Sequence, residues 1–343
     1  MSASTMIELR SAAEYPAKGD KRWNNAPDVV VYVEAERDPT AMIGHAKAVA
    51  AAFGANILLV SVIKPVEAGV SAVDPVDWGI RRSRVLRHLT DLAKKFRSET
   101  LEIRVRVLEG HPADQICNCV ANKPNDIIAI QRAPGYGRWP AGAAACGVMA
   151  SDVAAILVIP TSLAGKTIPV YSRVFIPLDG SANAESVIPR AARLAKEHSA
   201  ELLLCHVTPK TVLTEIGPAD TETIRLKEMI ARHNEKVAKS YLNRVKDRLK
   251  EYNVPVSISL FTDGDPRRSL VSAIAREAAD IVVMAAHGQS GYADVHAGDV
   301  AGFILDRSSV PVLVTRQPQG RKEEHIFHDV RPEGVRHRID LER

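Results

Sequence analysis

Residues 29–62 and 174–207 align without a gap, VVVYVEAERDPTAMIGHAKAVAAAFGANILLVSV against VFIPLDGSANAESVIPRAARLAKEHSAELLLCHV. In that register Glu34 stands opposite Asp179 and Ala55 opposite Ala200. The correspondence continues: EGHPADQI (109–116) faces DGDPRRSL (263–270), and NDIIAI (125–130) faces ADIVVM (279–284). Each half closes on an apolar run, AAILVIP (154–160) or VPVLVTR (310–316). A repeat of this length is an internal duplication, and it sets the domain count at two. The 343 residues suffice for two cores of ordinary size. The boundaries are an irregular arm at 1–27, a first domain at 28–162, a second at 171–316 and a tail at 317–343.

Within each half, short apolar runs alternate with amphipathic segments. In the second half the strands read as 173–178, 201–207, 255–261, 280–284 and 311–315, with helices at 183–197, 221–252, 266–278 and 299–306. Strands alternating with helices imply right-handed crossovers and a parallel sheet covered on both faces, so each half is a doubly wound α/β domain. In the helix at 221–252 the residues Leu226, Ile230, His233, Val237, Tyr241, Val245 and Leu249 form one stripe. His233 is therefore read as a packed histidine, and the lysines and arginines around it as a solvated face.

Composition narrows the function by exclusion. A formal net charge of +4 is too small to imply nucleic acid or an acidic membrane surface as partner. The cysteines Cys117, Cys119, Cys146 and Cys205 form neither a disulfide framework nor a paired zinc motif, and are read as structural thiols. The opening segment lacks the apolar core of a signal peptide, and no run is long enough to span a bilayer, so a cytoplasmic location is expected. The tail carries His325, His328 and His337 without any period and reads as an arm, not a metal site.

The stretch with chemical content is IVVMAAHGQSGYADVHAGDV (281–300). An apolar strand leads into a loop of small residues and glycines (Gly288, Gly291, Gly298), and then Asp299 and Val300 open an apolar-periodic segment. Strand, glycine loop and helix start together aim backbone N–H groups at an anion, and the helix dipole adds to the field.

With the duplication and this loop in hand, the chain resembles a tandem member of the universal stress protein family over residues 26–162 and 171–316. The resemblance implies five parallel strands per domain in the order 3-2-1-4-5. It also implies, in many members, an ATP-binding loop of Gly, two residues, Gly, nine residues, Gly, then Ser or Thr. Here the register is Ala285, Gly288, Gly298, Asp299, and the opening HGQSG (His287, Gly288, Gln289, Ser290, Gly291) is close to the family's usual wording. Asp179 matches the family aspartate that contacts adenine, and Val207 the position whose backbone does the same. The strand order places a topological switch point between the first and fourth strands, where ligands of open α/β sheets lie. Asp179 and the loop at 285–300 occupy those two strand ends.

The second half departs from the family pattern at three positions. Ala285 replaces the first glycine, Gln289 stands where many members have arginine, and Asp299 replaces the phosphate-reaching hydroxyl. A bridging magnesium ion could offset the Asp299 charge, with Asp294 or Asp299 as ligand, or Asp299 could serve simply as a helix cap. The first half departs further: Gln131-Arg132-Ala133-Pro134-Gly135 opens a loop two residues shorter, Pro134 cannot donate an N–H, and Glu34 replaces the aspartate.

Three readings follow. The chain is a stress-response regulator whose second domain holds ATP, ADP or AMP with Mg2+; or a scaffold of the same family that acts through its surfaces; or an adenylating or ATP-hydrolysing enzyme. The last wants an SGGxDS-like loop or an HxGH pair near the first strand, whereas LDGSANAES (178–186) has neither. No nucleophile–base constellation stands elsewhere, so at most slow hydrolysis is expected. The resemblance also implies an internal pseudo-dimer through the last strands, 155–159 against 311–315, with further pairing of whole chains as an extension.

Overall fold

The structure, a computed structural model, describes residues 26–34, 37–64, 75–98, 101–120, 123, 125–132, 155–163, 170–210, 221–288 and 298–316. The first half runs β1 (Asp28–Tyr32), α1 (Thr40–Phe53), β2 (Asn56–Ile63), α2 (Pro75–Phe96), β3 (Ile103–Glu109), α3 (Pro112–Val120), β4 (Ile127–Gln131) and β5 (Ala155–Ile159). The second runs β6 (Arg173–Pro177), α4 (Ala182–Glu185), α5 (Ile188–His198), β7 (Glu201–Pro209), α6 (Thr221–Arg248), β8 (Val256–Gly264), α7 (Pro266–Arg276), β9 (Ile281–Ala285), α8 (Asp299–Arg307) and β10 (Val312–Thr315). Each half is the expected doubly wound unit, β3-β2-β1-β4-β5 and its copy β8-β7-β6-β9-β10.

The two halves share one ten-stranded sheet. Strands within each half are parallel, and the single antiparallel seam among the described strands is β5 against β10, with Leu157 opposite Leu313 and Ile156 opposite Val314. Both strands would otherwise be sheet edges with unpaired backbone groups, so the seam satisfies two edges at once.

Alternation along the strands divides the core into two layers. Val29 and Val31 pack on the side of α1, α2, α5 and α6; that layer runs across both halves and includes Leu157, Leu313 and Tyr171. Val30 and Tyr32 face α3, α7 and α8 with Phe175, Val282 and Ile304. At the amino ends of the strands, the acidic residue before each fourth strand ties down the first: Asp126 Oδ1 accepts Asp28 N–H at 2.9 Å, and Asp280 Oδ2 accepts Arg173 N–H at 2.9 Å. These two aspartates serve the scaffold and lie at the opposite ends of the strands from the glycine loop.

Three expectations are corrected. The helix expected over 183–197 is broken after Glu185, where Ser181 caps a single turn by accepting Ala184 N–H at 3.1 Å, and a second helix starts at Ile188. Asp299 is not a cap: Gly298 occupies that position and Asp299 is the first residue of α8. His233 is exposed, not packed, as are Leu226 and Val237. The buried residues of α6 are Ala238, Leu242 and Val245, all in its second half. The reason is length, since 28 helical residues span about 42 Å while the nine-residue strand beside them spans about 30 Å, so the first turns overrun the sheet.

Candidate functional site

β6 has β7 on one side and β9 on the other, so the connections leaving its carboxyl end and that of β9 diverge there. Asp179 sits two residues past β6. Leu178 extends the strand by one bond, its N–H reaching Cys205 O at 2.8 Å, which holds the Asp179 backbone at the rim. The Asp179 carboxylate then folds back: Oδ1 accepts Ser181 N–H at 2.9 Å and the Ser181 hydroxyl at 2.6 Å. The other oxygen, Oδ2, lies against Gly288, so closely that a Cβ at 288 would overlap it. Residues 109 positions apart therefore meet, and glycine is required at 288 because the carboxylate occupies the space of a side chain.

The loop after β9 is pinched at its base. Ala286 N–H donates to Thr315 O and Gly298 N–H donates to Ala286 O, each at 2.9 Å, so both ends of the loop are anchored to the sheet. The first bond inside α8 runs from Gly302 N–H to Gly298 O at 2.9 Å, and no side chain caps the helix start. The amides of Asp299 and Val300 thus open the positive end of α8 next to Gly288. Gln289, Ser290 and Gly291, and with them Asp294 and His296, lie outside the described residues. His287 and Ala285 are half-buried at the loop's start.

Val207 lies near the end of β7, 7% exposed, where the pairing with β8 shifts register. His206 beside it donates from Nδ1 to Leu178 O at 2.7 Å, because a carbonyl can only accept. Its ring stands edge-on to Tyr241 of α6, with centroids 6.3 Å apart. Burial first, and then the Glu185 carboxylate, raise the pKa of that phenol. Arg248 of α6 holds Glu185 at 2.5 Å and closes this wall.

One wall escapes a reading of the sequence alone. β8 ends at Gly264, where an added Cβ would lie 3.6 Å from Val207 Cγ1, so the turn into α7 backs the Val207 position. That turn carries Asp265 and Arg267. The repeated words EGHPADQI and DGDPRRSL were the available signal, but they mark a conserved turn between the two halves and not its position beside Val207.

The matching rim of the first half is built differently. Glu34 pairs with Arg37 at 3.1 Å. Arg132, which stands where the second half has Ala286, crosses the seam and donates from Nη1 to Ser308 O at 2.8 Å and Leu305 O at 3.3 Å. The loop residues Ala133, Pro134 and Gly135 lie outside the described residues.

The universal stress protein family model matches residues 171–316. A universal stress protein of Methanocaldococcus jannaschii is 25% identical over 150 residues, 44% of this chain and 85% of that protein. One of Mycobacterium tuberculosis is 24% identical over 251 residues, 71% of this chain and 81% of that protein, so its match extends into both halves. The crystal structure of a universal stress protein from Archaeoglobus fulgidus superposes over 86% of this chain and 97% of that chain, with a TM-score of 0.59 and 16% identity, a likeness of fold alone.

Proposed function

This chain belongs to the universal stress protein family, and we propose that it is a stress-response regulator whose second domain holds an adenine nucleotide and passes its occupancy to protein partners. One observation carries the reading: the Asp179 carboxylate packs onto Gly288 beside the uncapped start of α8, which makes a cradle with an acceptor at one end and backbone donors at the other. In this reading Asp179 and the Val207 backbone recognise the base. The amides around Gly288 and at Asp299 and Val300 take the phosphates, Gly298 holds the turn beneath them through its bond to Ala286 O, and Gln289, Ser290 and Gly291 complete the loop.

Asp299 decides which nucleotide is held. A carboxylate about 4 Å from one phosphate charge is repelled by on the order of 4 kcal/mol at an effective dielectric near 20. A triphosphate therefore enters with Mg2+, which supplies neutralising charge and which Asp299 would help hold, whereas AMP needs no ion. Among the described residues no nucleophile and base come together at the rim, and the role read here is binding. The family scaffold without ligand is the competing reading, favoured by Asp179 Oδ1 already being satisfied by Ser181.

The test is to denature the purified protein and identify released small molecules by mass spectrometry, then to measure thermal shifts with Mg-ATP and AMP. Recovered adenine nucleotide and a shift that Gly288→Asp abolishes support the regulator. An empty protein without any shift supports the scaffold, and a shift that survives Gly288→Asp puts the ligand elsewhere.

A further inference from the structure

We infer that Arg267 is the cation that recognises the phosphates of a nucleotide in the second domain, and so sets the preference for phosphorylated over unphosphorylated ligand; this rests on the nucleotide reading above. The loop carries uncharged Gln289 where a cation is wanted, and α8 opens with the acidic Asp299. The phosphates and that carboxylate call for positive charge beyond the backbone amides, and for AMP, which needs no ion, a side chain must supply it.

The turn from β8 into α7 provides the missing charge. Gly264 leaves room for the Ser269 hydroxyl of α7 and lies beside Val207, on the carboxyl side of the sheet where the Asp179–Gly288 contact also lies. Asp265 caps α7 by accepting Arg267 N–H at 2.9 Å, and Pro266 fixes the first helical position. The Arg267 side chain curls back onto the same carboxylate, Nε to Oδ1 at 3.2 Å and Nη2 to Oδ2 at 3.0 Å. The guanidinium is thereby held at the helix start while staying exposed to solvent. α7 packs along α8, which brings the two helix starts to the same rim. The pKa of Arg267 is raised chiefly by Asp265, and also by the charge of Asp299 across the gap.

The Asp265–Arg267 pair is exposed on both sides, so it is a weak tie that a better anion can share or displace. A phosphate presents the guanidinium with the bidentate geometry it already uses on Asp265. Arg267 would then counter the charge of Asp299 as well as that of the phosphates.

Isothermal titration with adenosine, AMP and Mg-ATP, on the wild type, Arg267→Gln and Arg267→Lys, tests this. The expected result is a loss of Mg-ATP affinity of about tenfold or more in Arg267→Gln, a smaller loss in Arg267→Lys, and adenosine affinity unchanged in both. Equal losses for adenosine and Mg-ATP, or no loss for Mg-ATP, overturn the role of Arg267 while leaving nucleotide binding standing. If the wild type binds none of the three, the nucleotide reading falls and this inference with it. Matching thermal melts of the unliganded proteins establish that the exposed substitution has not disturbed the fold.

Discussion

Strands β1 and β6 end at equivalent points of a duplicated fold, yet their rims are wired in opposite ways. After β6, Asp179 reaches sideways to Gly288, and the neighbouring helix start keeps its amides clear of any side-chain cap. After β1, Glu34 is engaged by Arg37, and the fourth strand ends in Arg132, which leaves its own domain to grip the last carbonyls of α8. The first half has thus given its rim residues to support the helix whose other end lies at the site proposed for the second half. A cation at a helix carboxyl end is favourable for the same dipole reason that makes the amino end attract anions, so both ends of α8 are used electrostatically.

The seam shows the same asymmetry in its apolar layer. His45 of α1 is buried and paired through Nδ1 with the Tyr171 hydroxyl at 2.9 Å, whereas the equivalent residue of the second half is Arg190. Tyr171 also meets the His198 ring edge-on at 4.7 Å, and His198 Nε2 lies 3.2 Å from Ala48 O. Burial lowers the His45 pKa to about 4.

That pKa gives the largest effect by which the comparison can be broken. Unfolded His45 takes up a proton near its ordinary value, folded His45 only near 4, so its contribution is full above pH 6.5 and is lost as pH falls through about 4. Unfolding free energy should drop by about 3 kcal/mol across that window, and His45→Asn should flatten the curve in denaturant titrations at stepped pH. An unchanged slope in the variant would show that the seam is not what titrates.

The carboxylate difference gives the next effect. Asp179→Glu makes the second rim like the first, and the extra methylene drives the carboxylate into the loop at Gly288. Nucleotide affinity, measured by titration, should fall by about tenfold or more, roughly 1.4 kcal/mol. Unaltered affinity would mean that side-chain length does not separate the two rims. The smallest effect concerns Arg132→Ala, which removes two hydrogen bonds from the end of α8. It should cost about 1 kcal/mol in a denaturant melt. A loss of nucleotide affinity in this variant would sharpen the comparison by making the first half a support for the second half's site.

Much of this was legible from residue order. The duplication, the period-two and longer periodicities, and the loop spacing from Ala285 through Gly288 to Gly298 carry the fold and one side of the rim, because backbone turns and apolar alternation are written locally. His233 misleads for a local reason too: helical phase marks which residues share a face, but burial also requires a sheet beneath that face, and α6 outruns its own. The role of Gly264 and Arg267 was not legible, since it depends on how far β8 extends past Val207 and on the angle at which α7 leaves.

By itself, then, residue order determined two doubly wound domains and a glycine loop after the fourth strand of the second, since both follow from hydrophobic periodicity and the steric needs of tight turns. Tertiary structure alone decided that Asp179 rests on Gly288, that Arg132 crosses to the other half, and that Arg267 shares a rim with Asp299. These are through-space contacts between chain-distant groups, and they form only once packing of the two layers has set the helices at their places on the sheet.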